Sequence, residues 1–275
     1  MDKFMIHNLF GIEGFNIAWY GVLIATGMVL AVLLSIYRAK KLGFKSDLVI
    51  DFALIGIPIA IVTTRLYYVV FNWSTYADDI ITVFYIRDGG LAVYGGIIGG
   101  MIALFVFCKM NKFPPLKFFD IAIPGLLVGQ ILGRWGNFTN QEAYGALITN
   151  TKLQFFPYGV YIDAVSEWHQ ATFFYESSMN FIILIVLLIL TNKIKKDGTL
   201  LALYSICYGI ARFVIEGLRT DSLYLVGNIR ISQVVSIAFI IGGIMLLLLL
   251  RKGMFQGQKY EGKYLISSEE ETKAK

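Results

Sequence analysis

Charge is what this sequence has least of. Asp, Glu, Lys and Arg make up 16% of its 275 residues and hydrophobic residues 57%, whereas soluble globular domains carry about 25% charge. With a mean hydropathy of +0.66, the chain lacks the polar surface that water demands, and a membrane-embedded class follows. Cysteine is nearly absent. Cys108 and Cys207 both fall inside apolar segments, outside any CxxC or Cys/His cluster, which leaves them as reduced packing residues and not metal ligands. The chain also lacks a Gly-rich nucleotide loop, a Ser-His-Asp arrangement and metal-ligand clusters. Any chemistry would then rest on charge stabilisation and acid–base help, with no metal and no cofactor. The first fifteen residues carry Asp2, Lys3, His7 and Glu13 and lack a basic stretch leading into a cleavable apolar core, which argues against a signal peptide. Phe4, Met5, Leu9, Phe10 and Phe15 instead give this arm an apolar side suited to lying on the outer face of a membrane.

What is present is a series of apolar runs, near 17–37, 51–71, 91–108, 119–134, 173–191, 199–217 and 231–250, each close to the roughly 20 residues that cross a bilayer as a helix. The expectation is an all-α polytopic membrane protein with about seven transmembrane helices. The fourth run is expected to be short and interrupted at Pro124. A net charge of +5 could suggest nucleic acid, but the Lys and Arg residues stand at the ends of apolar runs and form no single basic face, so no nucleic acid is expected. Arg38, Lys40, Lys41 and Lys45 follow run one, Lys109, Lys112 and Lys117 run three, Lys193, Lys195 and Lys196 run five, and Arg251 and Lys252 run seven. These alternate connections, by the positive-inside rule, place the N-terminus outside and the C-terminus in the cytoplasm. Residues 1–258 then form a single transmembrane domain, the aromatic-rich stretch of about 135–170 a folded extracytoplasmic cap, and 259–275 a cytoplasmic polar tail, solvated and dispensable.

Ionisable side chains within spans are costly, so each needs a partner, a water cavity or a function. Arg65, Arg134, Arg212 and Glu216 stand out. Tyr208, Arg212, Glu216 and Arg219 recur at helical spacing on one inward stripe, either as a structural Arg–Glu pair or as part of a site. The segment Gly129–Gly145 gathers glycines that allow close backbone approach, the amides of Asn137 and Asn140, the Glu142 carboxylate and the Arg134 guanidinium, whose planar fork suits a phosphate. The alternative for Arg134 is an interfacial side chain reaching up to headgroups. Tyr94 sits in a glycine-rich stretch of the kind that serves helix packing, and is either a buried hydroxyl with an ordinary partner or a reactive group facing a cavity. Tyr20 follows Trp19 where an aromatic belt is expected, and Tyr175 and Glu176 open the fifth run shortly after His169. Two arginines at one level suit an anionic lipid headgroup. A transporter or flippase of an anionic lipid or solute would also place arginines in spans, but it usually carries an internal repeat, and the halves of this chain show no self-similarity.

Two longer motifs carry a resemblance. The run Gly133-Arg134-Trp135-Gly136-Asn137-Phe138-Thr139-Asn140-Gln141-Glu142-Ala143-Tyr144-Gly145, and the spaced set Tyr208, Gly209, Arg212, Phe213, Glu216 and Arg219, resemble signatures of the prolipoprotein diacylglyceryl transferase family. Trp19-Tyr20-Gly21 and Arg65-Leu66-Tyr67-Tyr68 fit as well, and the likeness extends from Trp19 to the last apolar run. Three places depart from the family pattern: Tyr94 stands where histidine is common, Thr139 where an apolar residue is usual, and 169–176 replaces a more usual His-Pro-Thr stretch. The resemblance implies a multi-pass transferase of the bacterial cytoplasmic (inner) membrane. It would move the diacylglyceryl group of phosphatidylglycerol onto the lipobox cysteine thiol of a prolipoprotein signal peptide, the first step of lipoprotein maturation, releasing glycerol phosphate. It further implies that Arg134 and Arg212 hold the phosphate and stabilise its growing charge, that Glu216 orients Arg212, and that Tyr20, Asn137, Asn140, Glu142, Gly145 and Tyr208 shape the substrate site. Tyr94 or Tyr20 would help to deprotonate the thiol, since the thiolate is the nucleophile.

Overall fold

A computed structural model describes residues 2–85, 89–221, 224–227, 229–255 and 259–267. Among the described residues seven helices are long and apolar enough to cross a membrane: α1 (Trp19–Lys41), α2 (Asp47–Phe71), α4 (Val93–Met110), α5 (Pro115–Asn140), α6 (Thr172–Leu190), α7 (Thr199–Glu216) and α8 (Ile231–Arg251). Between α2 and α4 lies the single turn α3 (Trp73–Tyr76). The strands among the described residues form three short antiparallel pairs: β1 (Phe4–Ile6) with β2 (Ile17–Ala18), β3 (Gly159–Ile162) with β4 (Glu167–Gln170), and β5 (Tyr224–Val226) with β6 (Ile229–Arg230). Leu54, Val70, Phe71 and many other large apolar side chains face outward, the reverse of a soluble surface. Hydrocarbon accepts such side chains but cannot hydrogen-bond a backbone, which is why the spans are unbroken helices.

The fourth span corrects the expectation of a short, interrupted run. α5 continues for 26 residues straight through Pro124. A proline forfeits one backbone bond, whereas opening the helix would leave several polar groups unsatisfied in hydrocarbon, so continuation is the lesser cost. Its last turns, Trp135–Asn140, belong to the helix and not to the loop beyond it.

The chain divides into two compact units. The first comprises Met1–Ser35 and Phe119–Gly257. Its core is Ile123 and Leu127 of α5, Ile183, Leu184 and Leu187 of α6, and Leu200, Tyr204 and Ala211 of α7. α7 is preceded by Gly198, which has no side chain to cap the helix; the buried Asp120 carboxylate of α5 does so instead, accepting from the backbone N–H of Gly198 at 2.8 Å and of Leu201 at 3.0 Å. After α5 the chain folds into the β3–β4 hairpin, whose Val160 and Ile162 pack with Ala171, Phe173 and Trp135, so this stretch has a small core of its own.

The second unit comprises Ile36–Phe118 and Gln258–Lys275. α2 packs along α4, and Gly95, Gly96 and Gly99 of α4 face the contact: a Cβ on Gly95 would lie 2.3 Å from the Thr63 carbonyl oxygen. The small-residue stretch is a packing seam. Residues 259–267 differ from the solvated tail expected of them. Tyr260 and Tyr264 are buried, the N–H of Lys45 donates to Tyr264 O at 2.8 Å and that of Ile266 to Gly43 O at 3.0 Å, and the Tyr264 hydroxyl donates to Asp51 at 2.8 Å. The polar composition of the segment conceals two tyrosines, Tyr260 and Tyr264, whose rings pack beside Phe44, Phe107 and Phe113. Residues 268–275 lie outside the described residues.

Candidate active site

Three helices of the first unit each bring one ionised side chain to a common point. Nη2 of Arg134 on α5 lies 2.7 Å from Oε1 of Glu176 on α6, and Nη1 of Arg212 on α7 lies 3.0 Å from Oε2 of the same carboxylate. One turn further along α7, Glu216 Oε2 stands 2.6 Å from Arg212 Nη2, an ion pair in contact but off the hydrogen-bond direction. The carboxylates are almost wholly buried and the guanidiniums are partly exposed. Two cations that would repel one another are thus held by carboxylates behind them, with their outer edges available to an anion.

The Arg134 motif is a local network at the end of α5. Arg134 Nη1 donates to Asn137 Oδ1 at 3.2 Å, Asn137 Nδ2 to Glu142 Oε1 at 2.9 Å, and Asn140 Nδ2 to the same oxygen at 3.3 Å. Glu142 reaches back because Gln141 and Ala143 adopt left-handed conformations with φ of 52° and 57°, which reverse the chain just past the helix. Gln141 holds this turn by exchanging two hydrogen bonds with Asp163, just past β3. Tyr208 lies beside Arg134, and its ring stacks on Tyr204 at 5.3 Å. Tyr20 of α1 lies against Gly136, where a Cβ would come within 2.6 Å of its ring.

Gly145 bridges to Arg219, and its carbonyl accepts from His169 Nδ1 at 2.9 Å; a carbonyl only accepts, so that ring nitrogen carries the proton. Arg219 forks onto Asp221 through bonds of 2.9 and 2.7 Å. Burial opposes both charges, and the pairing outweighs it: Asp221 is held below the ordinary carboxylate range and Arg219 above its own. Arg134, Asn137, Thr172, Glu176 and Arg219 surround a gap too narrow for a water molecule, and Glu142, Tyr144 and Asp221 line an open cleft.

The first unit therefore brings together Arg134, Arg212, Glu216, Tyr208, Asn137, Asn140, Glu142 and Tyr20, with Gly145 joined to Arg219. Tyr94 belongs to the second unit, in the first turn of α4, with 41% of its surface exposed. Arg65 is also in that unit and is engaged there with backbone. The residue that sequence reasoning underrated is Glu176. A carboxylate in the first turns of an otherwise uncharged span was the available signal, but its two partners lie 42 and 36 residues away and no spacing links them. Among the described residues no group of three or more His, Cys, Asp or Glu side chains is arranged to hold a metal.

Fold and site together define a multi-pass membrane protein with a buried arginine–carboxylate site. Its sequence matches the prolipoprotein diacylglyceryl transferase pattern over residues 7–249. It is 45% identical over 244 residues to the phosphatidylglycerol–prolipoprotein diacylglyceryl transferase of Clostridioides difficile (strain 630), covering 89% of this chain and 93% of that one. It is 43% identical over 249 residues to the protein of that name from Enterococcus faecalis (strain ATCC 700802 / V583), covering 88% and 90%, and 42% identical over 251 residues to that of Finegoldia magna (strain ATCC 29328 / DSM 20472 / WAL 2508), covering 91% and 98%. The chain belongs to the prolipoprotein diacylglyceryl transferase family.

Proposed function

We propose that this chain transfers the diacylglyceryl group of phosphatidylglycerol to the lipobox cysteine of prolipoproteins. The cysteine thiolate attacks the glyceryl carbon that carries the phosphate. A carbon–sulfur bond forms, the carbon–oxygen bond breaks, and its electron pair leaves on the phosphate as glycerol phosphate, while the thiol proton passes to a base. The leaving phosphate gains charge as the bond breaks, so cations fixed beforehand where that charge grows lower the barrier. The observation that carries this reading is the one carboxylate, Glu176, that fixes both Arg134 and Arg212. Glu216 orients Arg212. Asn137, Asn140 and Glu142 set the Arg134 side of the headgroup site, Tyr208 and Tyr20 pack beside it, and Gly145 shapes its rim. Tyr94 or Tyr20 assists removal of the thiol proton.

The same reading places residues 1–258 in the bacterial cytoplasmic (inner) membrane as one transmembrane domain, with the cap outside and the C-terminal segment inside. Its support is the run of basic residues after α1, α4, α6 and α8. The test follows the thioether product in proteoliposomes holding the purified protein, phosphatidylglycerol and a lipobox peptide. Arg134→Ala and Arg212→Ala should each nearly abolish transfer, and normal activity in either would sink the assignment. Product formation by the protein alone also separates transferase from transporter.

A further inference from the structure

Arg65 is a buried guanidinium that the arginine–carboxylate site does not use. It lies in α2, 7% exposed, and four backbone carbonyls converge on it. Nε donates to Val83 O at 2.8 Å, Nη2 to Thr82 O at 2.8 Å, and Nη1 to Gly89 O and Gly90 O at 2.9 and 3.0 Å; its Cζ sits 5.1 Å from the centre of the Tyr76 ring. A guanidinium has five N–H groups; those of Arg134 and Arg212 stand against carboxylates with their outer edges partly exposed, whereas Arg65 is enclosed. This one commits its donors to main chain. The carbonyls come from Thr82 and Val83 on one side and from Gly89 and Gly90 on the other, so a single side chain ties two points of the α3–α4 connection to α2. The glycines make this possible. Gly89 and Gly90 have φ of +90° and +71°, which turn successive carbonyls toward the same cation, and a Cβ on Gly90 would lie 2.4 Å from Arg65 Nη1. Directly beyond, the N–H of Ala92 donates to Thr64 O at 3.2 Å, and α4 begins with Val93 and Tyr94.

We propose that Arg65 is a positioning residue of the transferase: it sets the place of the segment from Gly89 to Tyr94, and so of the Tyr94 phenol, and takes no part in binding the lipid phosphate. This rests on the reading of Tyr94 as a thiol-side group. Lysine keeps the charge but, as a compact point charge, cannot reproduce a planar fork reaching four carbonyls.

The experiment uses the full-length protein in phosphatidylglycerol proteoliposomes with a lipobox peptide. It measures kcat, the KM for phosphatidylglycerol, and hydrogen exchange of the peptide covering residues 89–95. In Arg65→Lys, and independently in Gly90→Ala, kcat should fall at least about tenfold, KM should stay within about twofold, and exchange should quicken. Unchanged kcat and exchange in Arg65→Lys would overturn the proposal. So would a raised KM with unchanged exchange, the signature of a phosphate ligand. Tyr94→Phe separates this from the underlying reading. Full activity there removes Tyr94 from the reaction and leaves Arg65 to be judged on kcat and exchange alone. If Tyr94→Phe is slow, an Arg65→Lys/Tyr94→Phe double variant no slower than Tyr94→Phe supports action through the phenol, and a further multiplied loss overturns it.

Discussion

Glu176 Oε1 stands 2.7 Å from Arg134 Nη2, and this contact between α6 and α5 fixes one half of the site; the carboxylate's other oxygen holds Arg212. Removing the charge leaves two partly exposed guanidiniums beside each other without the buried carboxylate that joins them. Glu176→Gln should lower transfer by at least about a hundredfold and destabilise the protein by about 3 kcal/mol, the usual scale for breaking a buried ion pair. Initial rates and thermal unfolding in detergent check both, and a variant with native rate would remove Glu176 from the site.

Arg134→Lys and Arg212→Lys keep the positive charge and lose the planar fork. Transfer should fall about a hundredfold in each, because neither lysine can hold Glu176 and a phosphate oxygen together. A fall no smaller in the lysine than in the alanine variants would show that geometry outweighs charge.

Tyr94 stands where the family commonly keeps histidine. Tyr94→Phe should slow transfer at least about tenfold while Tyr94→His stays within about threefold, since an imidazole can take the same proton. A Tyr94→Phe variant at full rate would hand the role to Tyr20 or another group.

The Arg219–Asp221 pair predicts one pH effect. The Asp221 carboxyl is held below its unfolded value by Arg219 against the cost of burial. Its contribution to stability is therefore present above the unfolded value, about 4, and is lost as pH falls through the folded one. Asp221→Asn should flatten the acid side of the stability profile and leave the neutral side parallel to that of the parent. Unfolding midpoints measured from pH 7 down to about pH 3 test this, and an unchanged acid limb would exclude the pair as its cause.

Residues 259–267 should stabilise the second unit. Tyr264→Phe removes the hydrogen bond to Asp51 and should cost about 1 kcal/mol, and deletion of 259–275 should cost more, through loss of two buried rings. Thermal unfolding in detergent checks both; a deletion with the parent midpoint would restore the picture of a dispensable tail.

The sequence by itself determined the membrane class, the seven spans and the two arginine motifs, because a bilayer imposes a length and an apolarity that can be read along the chain, and because Arg134 with Asn137, or Arg212 with Glu216, are partners within a turn or two. Tertiary structure decided what the spacing could not carry. Pro124 could have ended a helix, and the need to keep backbone bonded in hydrocarbon carried α5 through it. Arg65 and Arg134 look alike in sequence, yet one is occupied by carbonyls of a distant connection and the other by a carboxylate from another helix. Glu176 could be seen as an isolated charge at the head of a span; that it joins two arginines follows from the packing of α5, α6 and α7 alone.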